Sequence, residues 1–279
     1  SNKSFCTVTR SSNTLTYNEI GVKTDHVIYG MEYAGGAFFT VEGTRGRSVS
    51  QDGESILTDD GWRELRMYNS DLSGYHVIGE VSEKNYAIVD TAIDLSGAEP
   101  ALYGTYNTVI PDVIAMSMIC TIDLETAKPG NYLQVTGLPE MHIIYAMAFD
   151  KDGTLYAIGA DAGAAGGPAT LYTIDLNNVQ EGAYGSKTVA ATKIEAIESQ
   201  TGNPISTNFA QDMAFDYATD TLYWAENKGN DLYTLNTGSA VATYFGQVKY
   251  NNYAYALQSF CIPYDTAFAN DSRYMVSVI

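Results

Sequence analysis

Apolar and polar residues alternate along much of this chain in short runs of four to six, broken by Gly, Asp and Asn turns. A period of two marks half-buried β-strands rather than helices, which need a period of 3.6. The runs also repeat. MAFDKDGTLYA (147–157) is matched by MAFDYATDTLYWA (213–225), and each is followed by a second phrase, LYTIDL (171–176) or LYTLNT (232–237). Weaker copies read TAID (91–94), ALYGTY (101–106) and ICTIDL (119–124), and again MEYAGGAFFTVEG (31–43) with ELRMYNSDL (64–72). A further apolar stretch closes each unit, as in YHVIGEV (75–81), YLQVTGL (132–138) and VATYFGQV (241–248).

Four strands per unit is the make-up of a β-propeller blade. The chain ends supply one more: LQSFCIPYD (257–265) and RYMVSVI (273–279) read as two first strands, FCTVTRSS (5–12) and TLTYNEIG (14–21) as the two last. With Tyr33, Ile93, Phe149, Phe215 and Phe260 as first-strand landmarks, the spacing lies near the ~40–50 residues of known blades. The pattern predicts one all-β domain over 1–279, a five-bladed propeller of four-stranded antiparallel blades. Its blades span about 27–81, 86–138, 143–195, 209–248, and 254–279 joined to 4–21, closed by pairing of the N- and C-terminal strands. Six blades, with one unit undetected, is the alternative. Closure removes exposed sheet edges. Over nearly the whole chain the MAFD…LY…LYTID phrase resembles the repeats of the β-propeller superfamily, and in particular those of secreted and surface propeller proteins of bacteria. The resemblance implies a fold and leaves function open, since propellers host both binders and enzymes.

Charge narrows the partners. The 279 residues carry 15 Lys and Arg against 33 Asp and Glu, a formal net charge of −18. Nucleic acid and anionic membrane surfaces need clustered cations, so neither is an expected partner. No apolar run approaches the ~18 residues of a spanning helix, so no membrane insertion is expected. With 45% hydrophobic residues, only 17% charged and 22 Tyr, the chain suits a large β core. An extracellular or cell-surface location is expected, the chain being read as a mature one without its signal.

Candidate chemistry is sparse. There is no GxSxG elbow, HExxH, P-loop or dinucleotide fingerprint. Asp150-Lys151-Asp152-Gly153 and Asp59-Asp60-Gly61 lack the full ligand ladder of a calcium loop and read as hairpin turns. No metal or cofactor is expected. Cys6, Cys120 and Cys261 are too scattered for a disulfide scaffold or zinc site. Cys6 and Cys261 would lie on the third and first strands of one blade, ~10 Å apart. That is beyond disulfide reach, so buried thiols are predicted.

The resemblance implies ligand binding around the channel mouth, on the face built by loops that lead into first strands and join second to third strands. His26 and His142 lie five residues before Met31 and Met147, and Asn208 five before Met213. Asn85 and Tyr86, and Asn252 and Tyr253, occupy the same segment of the second and fifth units, so a polar ring is expected there. Glu32 stands where other units have Ala92, Ala148 and Ala214. A carboxylate in that crowded hub needs a partner. Asp212, next to Met213, is a second candidate channel acid. The long polar insertion 42–63 ends in Trp62, placed either to stack on a sugar ring or to pack the loop down. Trp224 reads as core, and Tyr156, Tyr172, Tyr223 and Tyr233 as inter-blade packing.

The leading expectation is a non-enzymatic extracellular binding or adhesion module recognising a glycan or protein at this mouth. Its site would comprise His26, Glu32, Trp62, Asn85, Tyr86, His142, Asn208, Asp212, Asn252 and Tyr253, with none of them catalytic. The alternative is a carboxylate-based glycoside hydrolase using Glu32 and Asp212. A third is an adhesive subunit that binds partners along outer blade edges.

Overall fold

The computed structural model describes residues 3–11, 14–24, 26–43, 63–81, 88–110, 114–163, 166–207, 211–250, 253–255, 257, 259–263 and 275–278. Strands β1 (Lys3–Ser11) and β2 (Thr14–Thr24) form a hairpin, and β3 (Val27–Ala34), β4 (Ala37–Gly43), β5 (Arg63–Tyr68) and β6 (Tyr75–Glu80) an antiparallel meander. A second meander comprises β7 (Ile88–Asp94), β8 (Ala101–Ile110), β9 (Ile114–Ile122) and β10 (Pro129–Thr136). Next come β11 (His142–Phe149), β12 (Leu155–Asp161), the short β13 (Gly167–Pro168), β14 (Thr170–Ile174), the short β15 (Gln180–Glu181) and β16 (Lys187–Ala196). The two-residue strands β17 (Glu198–Ser199) and β18 (Ser206–Thr207) precede a meander of β19 (Asp212–Asp216), β20 (Thr221–Glu226), β21 (Asp231–Leu235) and β22 (Val241–Gly246). The described chain ends with β23 (Val248–Tyr250), β24 (Tyr253–Tyr255), β25 (Phe260–Cys261) and β26 (Met275–Val278). One 3-10 turn, Ala183–Gly185, is the sole helical element among the described residues.

The fold is all-β and propeller-like. Strand β1 pairs antiparallel with β26 from Phe5↔Val278 to Val8↔Met275, and β26 pairs with β25, so both ends of the chain share a sheet. Strands β3, β7, β11, β19 and β25 are the innermost of their sheets, each packing on the next in that order and β25 packing back on β3. Between consecutive sheets lies an apolar cluster. Met147, Tyr172 and Val189 belong to one, Met213, Phe215 and Trp224 to the next, and Leu65, Ile93 and Ile122 to a third. Fully burying one such side chain stabilises by about 1.5–3 kcal/mol, so this lamination is the main source of cohesion. The recurrent tyrosines serve it: Tyr103 packs on Phe149 at 5.3 Å and Tyr156 on Phe215 at 5.4 Å, each reaching the next inner strand.

Local chemistry fits the turns. Asp150 Oδ1 accepts the N–H groups of Asp152 and Thr154 at 3.0 and 2.8 Å, closing the β11–β12 hairpin as an Asx turn. Asp59, Asp60 and Gly61 lie outside the described residues. Gly30 is dictated by packing, because a Cβ there would stand 2.0 Å from Thr91 Oγ1 on the neighbouring inner strand. The three cysteines are buried thiols outside any disulfide.

Candidate functional site

Three carboxylates from three sheets converge on the axis. Strand β3 contributes Glu32, β7 contributes Asp90 and β19 contributes Asp212. Inner strands have a sheet neighbour on one side only, so backbone N–H groups on the axial side need acceptors from elsewhere. The acids supply them, each reaching forward to the next inner strand. Asp90 Oδ2 accepts the N–H of Met147 at 2.6 Å. Asp212 Oδ2 accepts the N–H of Phe260 at 2.8 Å and the Ser259 hydroxyl at 2.7 Å, while its Oδ1 accepts the N–H of Met213 at 2.7 Å. Glu32 Oε1 accepts the Thr91 hydroxyl at 3.1 Å. Asp90 is 0% and Asp212 2% exposed, and Asp90 Oδ1 is a buried oxygen with no hydrogen-bond partner.

Among the described residues no cation pairs with this cluster, and its acidity shifts accordingly. Burial, then the charge of Asp212, pushes Glu32 well above the carboxylate range. Burial, then Asp212 and Glu32, does the same to Asp90. Burial lifts Asp212 to about 7 against the opposing pull of Ser259 and Phe260. The buried Cys261 thiol is raised by burial and by Glu32 and Asp212, so it is a poor nucleophile. Among the described residues no group of three or more His, Cys, Asp or Glu is arranged to hold a metal ion. The cluster is built to hold protons and backbone amides.

Glu32 and Cys261 line a well at the downstream ends of the inner strands, together with Tyr33, Ile93, Phe149, Phe215 and Ile262. Its empty space is ≈ 360 Å³ including the open mouth.

A second set of buried acids lies where β2 meets the β3–β6 sheet. Glu42 Oε1 accepts the hydroxyls of Thr40 at 2.7 Å and Tyr68 at 2.6 Å, while Oε2 accepts Thr24 at 2.6 Å and lies 3.1 Å from Arg66 Nη1. Arg66 Nε donates to Glu64, and Arg66 Nη2 lies 2.6 Å from His26 Nδ1. Because guanidinium only donates, His26 Nδ1 is the acceptor. Burial opposes the Arg66 charge, but Glu42, Tyr68 and Glu64 together hold it more firmly protonated than usual. Burial and Glu42 push the Tyr68 phenol up. This network sits under the root of the 44–62 insertion, whose flanks Gly43 and Arg63 pair with each other. Arg63 is 0% exposed, stacks 3.5 Å over Tyr29 and donates to the Ile88 carbonyl at 3.2 Å.

Of the residues singled out from sequence, His26 and Glu32 stand toward opposite ends of one strand. His26 precedes β3, whereas Glu32 lies six residues along it, roughly 20 Å away at ~3.3 Å per residue. The upstream face thus carries His26 and the insertion root, and Glu32 belongs to the downstream well. His142 opens β11 and its ring Nδ1 bonds the Glu140 carbonyl at 3.0 Å, a local turn contact. Asp212 is sealed among its donors. Trp62, Asn85, Tyr86, Asn208 and Asn252 lie outside the described residues, and Tyr253 is in β24. Trp224 is fully buried, with Nε1 bonded to Gln211 Oε1 at 2.8 Å. One landmark moves: Phe260 donates to Asp212 as Met147 donates to Asp90, so Phe260 belongs to the Met row. Ile262 takes the row of Tyr33 and Phe149 in the well. Asp90 was missed although it precedes Thr91 as Asp212 precedes Met213.

No protein-family model matches the chain, and no curated protein matches it. Solved structures do. The chain is similar to the GH43_1 enzyme from Xanthomonas citri complexed with xylotriose, at 10% identity and a TM-score of 0.53, over 91% of this chain and 86% of that one. It is also similar to a glycoside hydrolase family 43 arabinoxylan arabinofuranohydrolase from Bacillus subtilis in complex with cellotetraose, at 10% identity and a TM-score of 0.52, over 92% of this chain and 62% of that one. At such identity the likeness carries the fold alone, and that fold is a β-propeller.

Proposed function

We propose that this protein is a non-enzymatic recognition module, a five-bladed propeller closed by its own chain ends, that binds an extracellular glycan or protein on its upstream face. The five-blade reading is supported by the cyclic order of the inner strands and by the β1–β26 ladder. The recognition reading rests on one observation above all: the insertion 44–62 is flanked by an ion-paired anchor of buried Glu42, Glu64 and Arg66, with half-buried His26 against Arg66. A rigid body that presents a long polar loop at a fixed root is suited to binding. His26 and Trp62 are the side chains proposed to meet the ligand there.

A second reading, a glycoside hydrolase using Glu32 and Asp212, is favoured by the convergence of acids with raised proton affinity on the axis of a fold that glycoside hydrolases also use. Against it stands Asp212, whose oxygens are occupied by three donors.

A glycan array run beside a polysaccharide-turnover assay separates the two. Binding without turnover, kept in Glu32→Gln and Asp212→Asn and lost in Trp62→Ala, is the expected result. Turnover abolished by either acid substitution would replace the recognition reading with the hydrolase.

A further inference from the structure

Four of the five outermost strands carry an added strand running parallel to them. Strand β10 takes β16 through Gln134↔Thr188 to Thr136↔Ala190, each covering the other. Strand β22 takes β17 through Glu198↔Val241 and Ser199↔Ala242, and β2 takes β23 at Leu15↔Val248. In the last two cases the cover is the linker that leads into the same sheet. The β3–β6 sheet has no such linker, because β2 passes into β3 within a few residues. Among the described residues its outer strand, β6, pairs only with β5.

The uncovered edge is chemically presentable. Its first three residues, Tyr75, His76 and Val77, are all exposed, Tyr75 at 46% and Val77 at 49%. Two bonds set the phase of the β5–β6 ladder: Asn69 N–H to the Gly74 carbonyl and Val81 N–H to the Arg63 carbonyl, both 3.0 Å. In an antiparallel pair the bonding residues alternate, so Tyr75 and Val77 direct their N–H and C=O groups outward. A bulge follows, between the Arg66↔Val77 and Leu65↔Gly79 pairs, and limits the open ladder to the Tyr75 end. Tyr75 is held in place there by Arg66, 4.4 Å over its ring, and by Tyr68 at 5.0 Å.

We infer that the Tyr75–Val77 edge of β6 is a strand-addition site for a basic, extended polypeptide segment of a partner protein. The molecule's own covers show that one to three paired residues in parallel register suffice at this position in a sheet, and exposed backbone groups give such a ladder its affinity. The net charge of −18 selects a cationic strand and opposes a second copy of this chain. This site borders the Arg66 anchor through Tyr75, and strand addition there does not depend on the reading proposed for the upstream face.

The probe is the capped hexapeptide Lys-Val-Lys-Val-Lys-Val, compared with its Glu-Val counterpart, against the full chain. Hydrogen exchange at 75–80 should slow on adding the basic peptide and not the acidic one. Val77→Pro removes an outward N–H without touching the β5 ladder, and should weaken binding at least tenfold while far-UV circular dichroism stays unchanged. Should that variant misfold, Val77→Lys, which places a like charge against the peptide, should show the same loss. Absence of binding at millimolar basic peptide, equal binding of the acidic peptide, undiminished binding by a folded variant, or a peptide-free dimer that protects 75–80 would each overturn the inference.

Discussion

The molecule buries acids in two ways. At the seam between β2 and the β3–β6 sheet, Glu42 and Glu64 share Arg66, and each Glu42 oxygen has two partners. At the axis, Glu32, Asp90 and Asp212 have hydroxyl and amide donors and, among the described residues, no cation. Both sets are buried, yet the second is met by protonation. A buried carboxylate surrounded by like charge lowers its free energy by taking up a proton, whereas one beside a guanidinium keeps its charge. The comparison teaches that the seam is held by charge pairing and the axis by neutral acids acting as clasps between inner strands.

The largest test removes the seam's cation. Arg66→Met leaves Glu42 and Glu64 buried without a counter-charge and should cost about 3–5 kcal/mol in urea unfolding at pH 7. A loss below about 1 kcal/mol would mean that the Arg66 guanidinium is not what holds the seam. Next, Asp212→Ala orphans the Phe260 N–H and the Ser259 hydroxyl. At pH 5, where the axial acids hold their protons, it should cost about 2–3 kcal/mol. An increase in stability there would refute the clasp.

A third test uses pH. The axial acids have folded proton affinities above those of the unfolded chain, near 4 for ordinary carboxylates. On raising the pH the unfolded chain therefore loses its protons first. Their contribution is complete below about pH 4 and is lost as pH rises, through about 7 for Asp212 and higher for Glu32 and Asp90 in the direction of their shifts. Each group changes stability by up to about 1.4 kcal/mol per pH unit in its window. The double variant Glu32→Gln, Asp90→Asn should flatten the fall in Tm between pH 5 and 8 and stand about 1–2 kcal/mol above the parent at pH 8. An unchanged slope would assign the pH dependence to the overall negative charge. The smallest expected effect is the control: Lys23→Ala breaks an exposed pair to Glu19 at 3.3 Å and should change stability by less than about 0.5 kcal/mol.

Much of the framework was readable from residue order. The copies around Met147 and Met213 predict strands, and β11 and β19 contain them. Asp212 could be singled out because it abuts Met213, and Glu32 because it replaces an alanine. Asp90 carried the same offset, directly before Thr91, and its role shows only in its bond to the distant Met147. Phe260 was placed one row off because Phe-Cys-Ile reads equally well in either row until the Asp212 bond sets it. Glu42, Glu64 and Arg66 gave no signal as a group. Glu42 and Arg66 lie on different strands, and Thr24 reaches them from a hairpin formed by the start of the chain.

Residue order alone thus determined the strands, their repetition and the all-β class, since a period of two and turn chemistry act over a few residues and need no distant partner. Which acids would be paired and which would be left to share protons was decided only when the sheets packed around an axis. A charge's state depends on what lies within a few ångströms of it, and for Glu42 and Asp90 alike those neighbours come from strands far away along the chain.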